Sequence, residues 1–317
     1  MSATARIEDL LDVDSLLAPE EIELRQTVRR FGEQRLRPYI AEWFEAGEVP
    51  VRELAADFGK LGLLGMHLQG YGCGGSTATA YGVVCQELEA VDSGVRSMVS
   101  VQGSLAMFAI HRHGSEEQRK QWLPAMATGD VIGCFGLTEP DFGSNPAGMR
   151  TTARRDGSDW ILNGSKMWIT NGSIADVAIV WARAEEGIVG FVVPTGTPGF
   201  TARDMTHKLS LRASITSELS LDDVRLPAEA KLPEARGLAG PLACLSEARF
   251  GIVFGSVGAA RDCLQTTLDY VGTREVFDKP LAGYQLTQAK LADMAVELSK
   301  AQLLALHLGR LKDNGRI

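Results

Sequence analysis

Apolar residues recur at intervals of three and four through the first part of the chain, which is the spacing of one helix face. One such stripe comprises Val51, Leu54, Phe58 and Leu61. Ser115, followed three residues later by a glutamine, has the form of a capping box that opens another helix, which we expect to end near Gly129. Residues 1–130 are therefore predicted to form a helical domain.

An earlier helix is predicted to begin at Pro19, because Pro followed by two glutamates is typical of a helix first turn. Its expected apolar stripe comprises Leu24, Val28 and Phe31. Residues 70–76 are rich in glycine and predict a flexible loop.

The pattern changes at about residue 131, where short β-rich runs alternate with turn dipeptides. Asp156-Gly157 and Asn163-Gly164 both have the composition of hairpin turns. Residues 177–181 and 188–193 are short runs rich in β-branched and apolar residues. We therefore predict a small β-barrel or sandwich over residues 131–238.

Helical spacing returns at about residue 239, after a linker that contains Pro227, Pro233 and Gly237. Two long helices alone do not bury their apolar faces, so a bundle with more helices is expected, and its sequence looks cut short. The predicted fold class is α+β: an N-terminal helical domain over 1–130, a middle small β-barrel over 131–238 and an incomplete C-terminal helical bundle over 239–317.

Composition narrows the class of protein. The 317 residues carry a formal net charge of −8, from 32 Lys and Arg against 40 Asp and Glu, which argues against a general nucleic-acid binder. The five cysteines show neither CxxC nor metal-ligand spacing, and the five histidines have none either, so we expect no disulfide framework and no metal. We find no run of about 18 apolar residues and no signal-like h-region, so no membrane association is expected.

Two polar segments could carry chemistry. Residues 135–144 (FGLTEPDFGS) combine hydroxyls with glycines and could hold a polar cofactor edge or a phosphate, although an ordinary domain-boundary turn has the same composition. In residues 166–172 (KMWITNG), Trp168 and Thr170 would share one face of a strand and could flank a flat ring. A Trp buried in the barrel core is the alternative.

These motifs together resemble the acyl-CoA dehydrogenase family. The resemblance rests on LTEP-x-x-G-S at 137–144, K-x-W-I-T-N at 166–171 and the cluster of Thr273, Arg274, Phe277 and Gln285, in the same order, and runs from about residue 18 to the last residue. Within the family it is strongest to the glutaryl-CoA dehydrogenases, through residues 89–97, 114–118, 134–140, 210–214 and 309–313.

The resemblance implies bound FAD and an acyl-CoA thioester substrate. By position, the implied flavin-binding residues are Phe135, Gly136, Leu137, Thr138, Glu139, Pro140, Gly143, Ser144, Trp168, Ile169 and Thr170, with Thr170 near the flavin N5 edge. Arg274, Phe277 and Gln285 match positions that reach the FAD of a neighbouring subunit. The residue after that Phe is usually Gly in the family but is Asp278 here, and its carboxylate would repel a pyrophosphate.

The implied substrate-binding residues are Glu89, Arg96, Ser97, Ser144, Leu242 and Arg249. Burying the distal carboxylate of a glutaryl group requires a cation and further donors, which Arg96 and Ser97 would supply. A solvated surface residue is the alternative for Arg96, and a helix-capping role or an interdomain salt bridge is the alternative for Arg249. Glu89, seven residues before Arg96, would lie nearly on the same face of a continuous helix, beside the substrate carboxylate, or would form an ordinary ion pair with Arg96.

The family's catalytic base, a Glu in a Tyr-Glu-Gly-Thr motif, has no match here, so we expect it beyond Ile317, in a longer chain; a naturally shortened and inactive chain is the alternative. The implied reaction is oxidation and decarboxylation of glutaryl-CoA to crotonyl-CoA. A short-chain acyl-CoA dehydrogenase or oxidase with another substrate, or a non-catalytic flavin- or acyl-CoA-binding protein, are the alternatives. The resemblance further implies an electron-transferring flavoprotein as partner and a homotetramer. We expect a bacterial cytoplasmic protein, with the mitochondrial matrix as the alternative location.

Overall fold

The computed structural model describes Glu8 and residues 12–317. Helices precede and follow a set of β-strands, as the sequence predicts. The first helices are α1 (Pro19–Phe31), α2 (Ile40–Ala46), α3 (Val51–Lys60), α4 (Ala78–Glu89), α5 (Ser93–Ser100), α6 (Phe108–His113) and α7 (Glu116–Thr128), with π-helical turns at Gly32–Leu36 and Val101–Met107. The long helices α8 (Ala239–Thr273) and α9 (Gln285–Asp313) follow the strands. The prediction of a helical, β and helical order is confirmed.

The strands are β1 (Gly133–Gly136), β2 (Thr152–Asp156), β3 (Asp159–Thr170), β4 (Val177–Ala184), β5 (Gly187–Pro194), β6 (Phe200–Asp204) and β7 (Thr216–Leu226). They form one curled seven-stranded sheet in the order β1-β4-β2-β3-β7-β6, with β5 paired to β4. Most neighbours are antiparallel, but β1 runs parallel to β4 with Gly133 opposite Val177. Its core is formed by alternating apolar residues such as Leu162, Phe191 and Leu219, each at most 1% exposed.

Local signals predicted several element ends correctly. The Ser115 hydroxyl accepts a hydrogen bond from the Gln118 amide, and the Gln118 side chain accepts one from the Ser115 amide, which completes the capping box of α7. Gly129 ends α7 with a φ of 83°, a conformation that glycine adopts without strain. In α3, Val51, Leu54 and Phe58 are buried, whereas Leu61 follows the last turn and is half-buried.

The hairpin predicted at Asn163-Gly164 is wrong, because both residues lie inside β3. The pairing with β7 shifts register between Leu162 and Gly164, and Gly164 has a φ of 149°. The dipeptide therefore forms a β-bulge, a feature that requires the same conformational freedom as a tight turn. Asp156-Gly157 does connect β2 to β3, as predicted.

The stripe expected on α1 is only partly correct, because charged residues occupy much of its buried face. Val28 is buried, but Glu21 and Arg25 are buried beside it, whereas Leu24 and Phe31 are half-buried. Both oxygens of Glu21 accept hydrogen bonds from the Arg310 guanidinium at 2.6 Å. Ionic pairing thus makes burial of these charges possible.

The chain divides into two compact units. The first consists of the described part of Met1–Ile40, with Thr77–Ser93 and Phe250–Ile317, and the second of Ala41–Ser76 and Gly94–Arg249. The domain boundaries at residues 130 and 238 stay predictions.

A buried charge cluster lies in the first unit and comprises Glu8, Arg29, Glu87 and Arg261. The Glu87 side chain is 1% exposed and accepts hydrogen bonds from Arg29 at 2.9 Å and from Arg261 at 2.6 Å. Glu8 binds the same two guanidiniums at 2.8 Å and 2.7 Å. Burial alone would raise the pKa of Glu87, but the two guanidiniums lower it to about 2. The four-charge cluster therefore joins α1, α4 and α8 to Glu8, which precedes α1.

Helix α8 is long and apolar enough to cross a membrane by length and composition, with 39% of its most apolar window buried. A core helix of a soluble protein passes the same test, so this is weak evidence. Within residues 12–317 and Glu8, no group of three His, Cys, Asp or Glu side chains is placed to hold a metal ion.

Candidate active site

A pocket of about 260 Å³ lies in the second unit, where the two polar segments of the sequence meet. Four parts of the chain line it. They are the π-helical turn (Val101, Leu105), the end of β1 with the loop after it (Phe135, Leu137, Thr138, Gly143, Ser144, Pro146), the end of β3 (Trp168, Ile169, Thr170) and the start of α8 (Leu242, Leu245, Arg249). Ten residues of this lining were predicted from the sequence: Phe135, Leu137, Thr138, Gly143, Ser144, Trp168, Ile169, Thr170, Leu242 and Arg249.

A second register shift at the end of β3 exposes the Trp168 side chain. The pairing with β7 shifts between Lys166 and Ile169, and Trp168 has a φ of 63°, which is unusual for an aromatic residue. Its side chain is 57% exposed, whereas Trp160 in the same strand is 1% exposed. The alternative of a core Trp is therefore wrong for Trp168, because the backbone directs the indole away from the core.

The π-helical turn forms the opposite wall. Val101–Met107 joins α5 to α6 with helical backbone at Ser100 and Phe108, so the three elements form one continuous helix. In this turn Gln102 donates hydrogen bonds to the carbonyls of Met126 and Val131 and accepts one from the Gly133 amide. These contacts fix β1 against the helix. A π-helical turn adds a residue to the helix and is found frequently at functional sites.

The charges at the pocket are few. Arg249, at an exposed position on α8, is the single ionisable side chain among the lining residues that the structure describes. The hydroxyls of Thr138, Ser144 and Thr170 supply further polar groups. The pocket can therefore accept a flat, largely uncharged ring with hydrogen-bonding edges, together with an anionic group near Arg249.

Glu139 belongs to the predicted flavin-binding loop but does not line the pocket. Its carboxylate accepts hydrogen bonds from the amides of Arg150 and Thr151 and from the Lys166 ammonium. Burial alone would raise the pKa of Glu139, but these hydrogen bonds hold it below its usual value. Gly136 and Pro140 also lie outside the lining.

Arg96 is buried in α5, with 9% of its surface exposed. The alternative of a solvated arginine is therefore wrong. Ser97, half-buried, lies four residues before the pocket-lining Val101, one helical turn away. Neither Arg96 nor Ser97 lines the pocket itself.

Glu89 is the last residue of α4, and α5 begins only at Ser93, so the continuous helix that would align Glu89 with Arg96 does not exist. Glu89 belongs to the first unit.

The three residues expected to reach a neighbouring subunit also lie in the first unit. Phe277 is 88% exposed at the turn between the short strands β8 (Glu275–Val276) and β9 (Lys279–Pro280), and Arg274 and Gln285 flank this hairpin at exposed positions. Phe277 and Asp278 have φ of 49° and 64°, as both central residues of a type I′ turn require. A glycine at position 278 would suit this turn, and aspartate is one of the few other residues that adopt it readily.

Sequence reasoning missed Val101, Leu105 and Pro146 in the lining and gave Lys166 no role, whereas Leu245 lies within the segment from Leu242 to Arg249 that matches a substrate-contacting segment of the family. The apolar residues had no distinguishing signal. Lys166 did have a distinguishing signal, because a residue two positions before Trp168 in a regular strand lies on the same side of that strand. In the structure, the register shift at Trp168 interrupts this alternation.

Comparison with known proteins assigns the class. Models of the acyl-CoA dehydrogenase N-terminal, middle and C-terminal domains match residues 18–130, 134–224 and 235–317. The chain therefore belongs to the acyl-CoA dehydrogenase family, a family of FAD-dependent oxidoreductases. A mitochondrial short-chain specific acyl-CoA dehydrogenase from Mus musculus is 38% identical over 298 residues, which cover 92% of this chain and 72% of that protein.

More similar solved structures are glutaryl-CoA dehydrogenases from Mycobacterium smegmatis. One, in complex with FADH2, is 66% identical with a TM-score of 0.96, and the match covers 98% of this chain and 80% of that one. A second is 65% identical with a TM-score of 0.97, over 98% and 81% of the two chains. A butyryl-CoA dehydrogenase from Megasphaera elsdenii is 32% identical with a TM-score of 0.88, over 94% and 81%.

Proposed function

We propose that this protein binds FAD and oxidises glutaryl-CoA, with decarboxylation to crotonyl-CoA. The observation that carries the choice of substrate is the position of Arg96, five residues before the pocket-lining Val101 in the helix that continues into the pocket wall. A guanidinium there can bind the distal carboxylate of a glutaryl group through two parallel hydrogen bonds. The glutaryl-CoA dehydrogenases that resemble this chain at 65–66% identity support the same choice.

The pocket residues fit a flavin ring. The exposed Trp168 indole offers a flat apolar surface, and aromatic rings stack favourably in offset geometry. The cavity of about 260 Å³ lies just below the range of about 300–1,000 Å³ for small-molecule sites, so it would hold only part of a dinucleotide. Thr138 and Thr170 would hold the polar edge of the ring, and Ser144 and Arg249 would face the phosphates or the acyl thioester.

FAD, when bound, supplies the two-electron acceptor for this chemistry. The chain's own residues would bind and orient the substrate and exclude water. Trp168 would cover the ring, and Leu242 and Leu245 would shield the acyl chain. Arg96 and Ser97, which lie outside the lining in the helix that forms one wall, would bind a distal carboxylate that extends past Val101. Holding that carboxylate places the α and β carbons at one fixed position, which lowers the entropic part of the barrier.

The reaction removes the α-proton and, from the β carbon, a hydrogen with two electrons. The bond between the γ carbon and the carboxylate then breaks, its electron pair delocalises through the new double bond to the thioester, and a proton replaces CO2 at the γ carbon. Among the described residues no Asp or Glu lines the pocket, so none of them is assigned as the base.

Arg96→Ala tests the substrate. We expect kcat/KM for glutaryl-CoA to fall by about 10²-fold, equivalent to roughly 3 kcal/mol, because the distal carboxylate loses its cation. Turnover of butyryl-CoA, which lacks that carboxylate, should fall little. Arg96→Lys should be intermediate, since an ammonium restores the charge but not the two-pronged geometry.

Arg112→Ala is the matched control, because Arg112 lies in α6 of the same continuous helix at an exposed position. Arg112→Ala should change neither kcat/KM for glutaryl-CoA nor kcat/KM for butyryl-CoA. If the ratio of the two kcat/KM values is the same in wild type and Arg96→Ala, the second candidate is favoured: a short-chain acyl-CoA dehydrogenase, as the 38% identical protein from Mus musculus is.

We further propose an electron-transferring flavoprotein as the electron acceptor, a homotetrameric assembly and a bacterial cytoplasmic location, all of which rest on the family resemblance. Reduction of a purified electron-transferring flavoprotein by the substrate-reduced protein, and light scattering of the purified protein, test the first two.

A further inference from the structure

One buried ion pair lies directly behind the pocket. The Lys166 and Glu139 side chains are 0% and 4% exposed, and their charged atoms are 2.8 Å apart. Lys166 is one of the largest side chains that the second unit buries completely. An ammonium is rarely buried in this way, since desolvation costs several kcal/mol per ion.

The pair joins the two segments that form the pocket. Glu139 follows Thr138 in the loop after β1, and Lys166 precedes Trp168 by two residues in β3. Lys166 also donates a hydrogen bond to the Leu137 carbonyl at 3.2 Å, and the Met167 amide donates one to the Thr138 carbonyl at 2.9 Å. The loop and the strand are therefore tied together at successive residues.

The rest of the loop depends on the same carboxylate. The amides of Arg150 and Thr151, at the far end of the loop, both donate to Glu139. One carboxylate thus holds both ends of residues 139–151, and the pocket-lining Gly143, Ser144 and Pro146 lie between them. Arg183 of β4 also donates hydrogen bonds to the Ala147 and Met149 carbonyls, which lie after the pocket-lining part of the loop. Around the pocket-lining Gly143, no atom lies within 4 Å of the position of an added Cβ.

The geometry also accounts for the exposed indole. The register shift that exposes Trp168 begins at Lys166, and the unusual φ of Trp168 must be maintained by its surroundings. Lys166 is fixed at that point by two hydrogen bonds and by its aliphatic stem, whose Cγ would be 3.3 Å from an added Cβ on Gly136.

We propose that Lys166 and Glu139 are positioning residues that fix the flavin-binding loop against β3 and so set the lifetime of bound FAD, without touching the cofactor. This inference rests on the proposed function. Burial lowers the pKa of Lys166 to about 8, although Glu139 opposes the shift, so the ammonium is present at pH 7.

The test measures the rate at which FAD leaves the holoenzyme, followed by the increase in free-flavin fluorescence after dilution. We compare wild type, Glu139→Gln, Lys166→Met and the double variant. Glu139→Gln keeps the size of the side chain and one acceptor oxygen, and Lys166→Met keeps the apolar stem. Each single variant should release FAD roughly tenfold faster or more, and the double variant should be closer to wild type than Lys166→Met, because no buried charge is left unpaired.

Val224→Ala is the control for stability alone. Val224 is 0% exposed in β7, opposite Leu162, and lines no part of the pocket. It should lower the melting temperature but leave the FAD release rate at the wild-type value. If Lys166→Met does not fold, Glu139→Gln carries the comparison.

Two results would overturn the inference. If the single variants lose thermal stability as Val224→Ala does but release FAD at the wild-type rate, the pair is structural only, while the proposed function stands. If wild type itself takes up no FAD, the proposed function fails and this inference fails with it.

Discussion

The two units of the molecule each bury a set of charges, but the two sets connect different kinds of structural element. In the first unit, which is mainly helical (the helical unit), Glu87 is held by Arg29 and Arg261, which come from different helices. In the second unit, which contains the seven-stranded sheet (the sheet unit), Glu139 is held by Lys166 and by two backbone amides. The first set joins helices to one another, whereas the second joins a loop to a strand.

The difference shows in the pKa values. Two guanidiniums are permanently charged and lower the pKa of Glu87 to about 2. A single ammonium can lose its proton, and burial lowers the pKa of Lys166 to about 8. The arginines that pair between helices therefore stay charged under mildly alkaline conditions. The charge of Lys166, in contrast, is lost under these conditions.

The largest effect is expected from Glu87→Gln. Arg29 and Arg261 would lose the more buried of their two shared anions and keep only Glu8, so the free energy of unfolding should fall by about 3 kcal/mol. Urea unfolding measures this change. FAD release should stay at the wild-type rate, and faster release would mean that the two charge sets are not separable.

Acid should weaken the helical unit in wild type. The pKa of Glu87 in the folded state, about 2, lies below its ordinary value of 4.5, so its stabilising contribution is complete above pH 4.5 and is lost as the pH falls towards 2. The full contribution is about 3 kcal/mol. Urea midpoints of wild type and Glu87→Gln between pH 6 and 3 should converge, and parallel curves would contradict this assignment.

Alkali should stabilise the sheet unit, so that stability rises with pH here as it does for Glu87 at acid pH. Lys166 in the folded state loses its proton near pH 8 while the unfolded chain keeps its own to about 10.5, so the unfolded state binds more protons between these values. Stability of wild type relative to Lys166→Met should therefore rise from pH 8 to 10. A falling difference would show that the ion pair outweighs desolvation.

The smallest effect is expected from Arg225→Ala. Arg225 pairs with Asp156 and Asp159 around the β2–β3 turn, but its side chain is 54% exposed. Exposed ion pairs contribute little to the free energy of unfolding, because water and salt screen the attraction between the charges. The melting temperature of Arg225→Ala should be close to that of wild type. A loss of stability as large as that of Glu87→Gln would show that exposed ion pairs contribute as much as buried ones in this protein.

The sequence predicted best what depends on near neighbours. The capping box at Ser115 and the Asp156-Gly157 hairpin need only adjacent residues, and both are present. The dipeptide Asn163-Gly164 carries the same local signal but lies in a strand, because the pairing with β7 decides whether such residues turn or bulge.

Distant partners set the limits of prediction. The sequence predicts Glu21 only as part of a helix first turn, whereas its partner Arg310 lies 289 residues away. The motifs found most of the pocket, since they are contiguous. They did not find the pocket wall at Val101 and Leu105, because nothing in residues 101–107 distinguishes a π-helical turn from an α-helical one.

That turn also lets the helix hold one residue more than its flanking turns require. A π-helical turn accommodates the additional residue locally, so the α-helical turns before and after it keep their relative orientation. Removal of one residue from Val101–Met107 would return the segment to an α-helix and leave Arg96 facing as before relative to His111 and His113. A point deletion there would therefore reshape the pocket wall at Val101 and Leu105 and leave the flanking side chains in place.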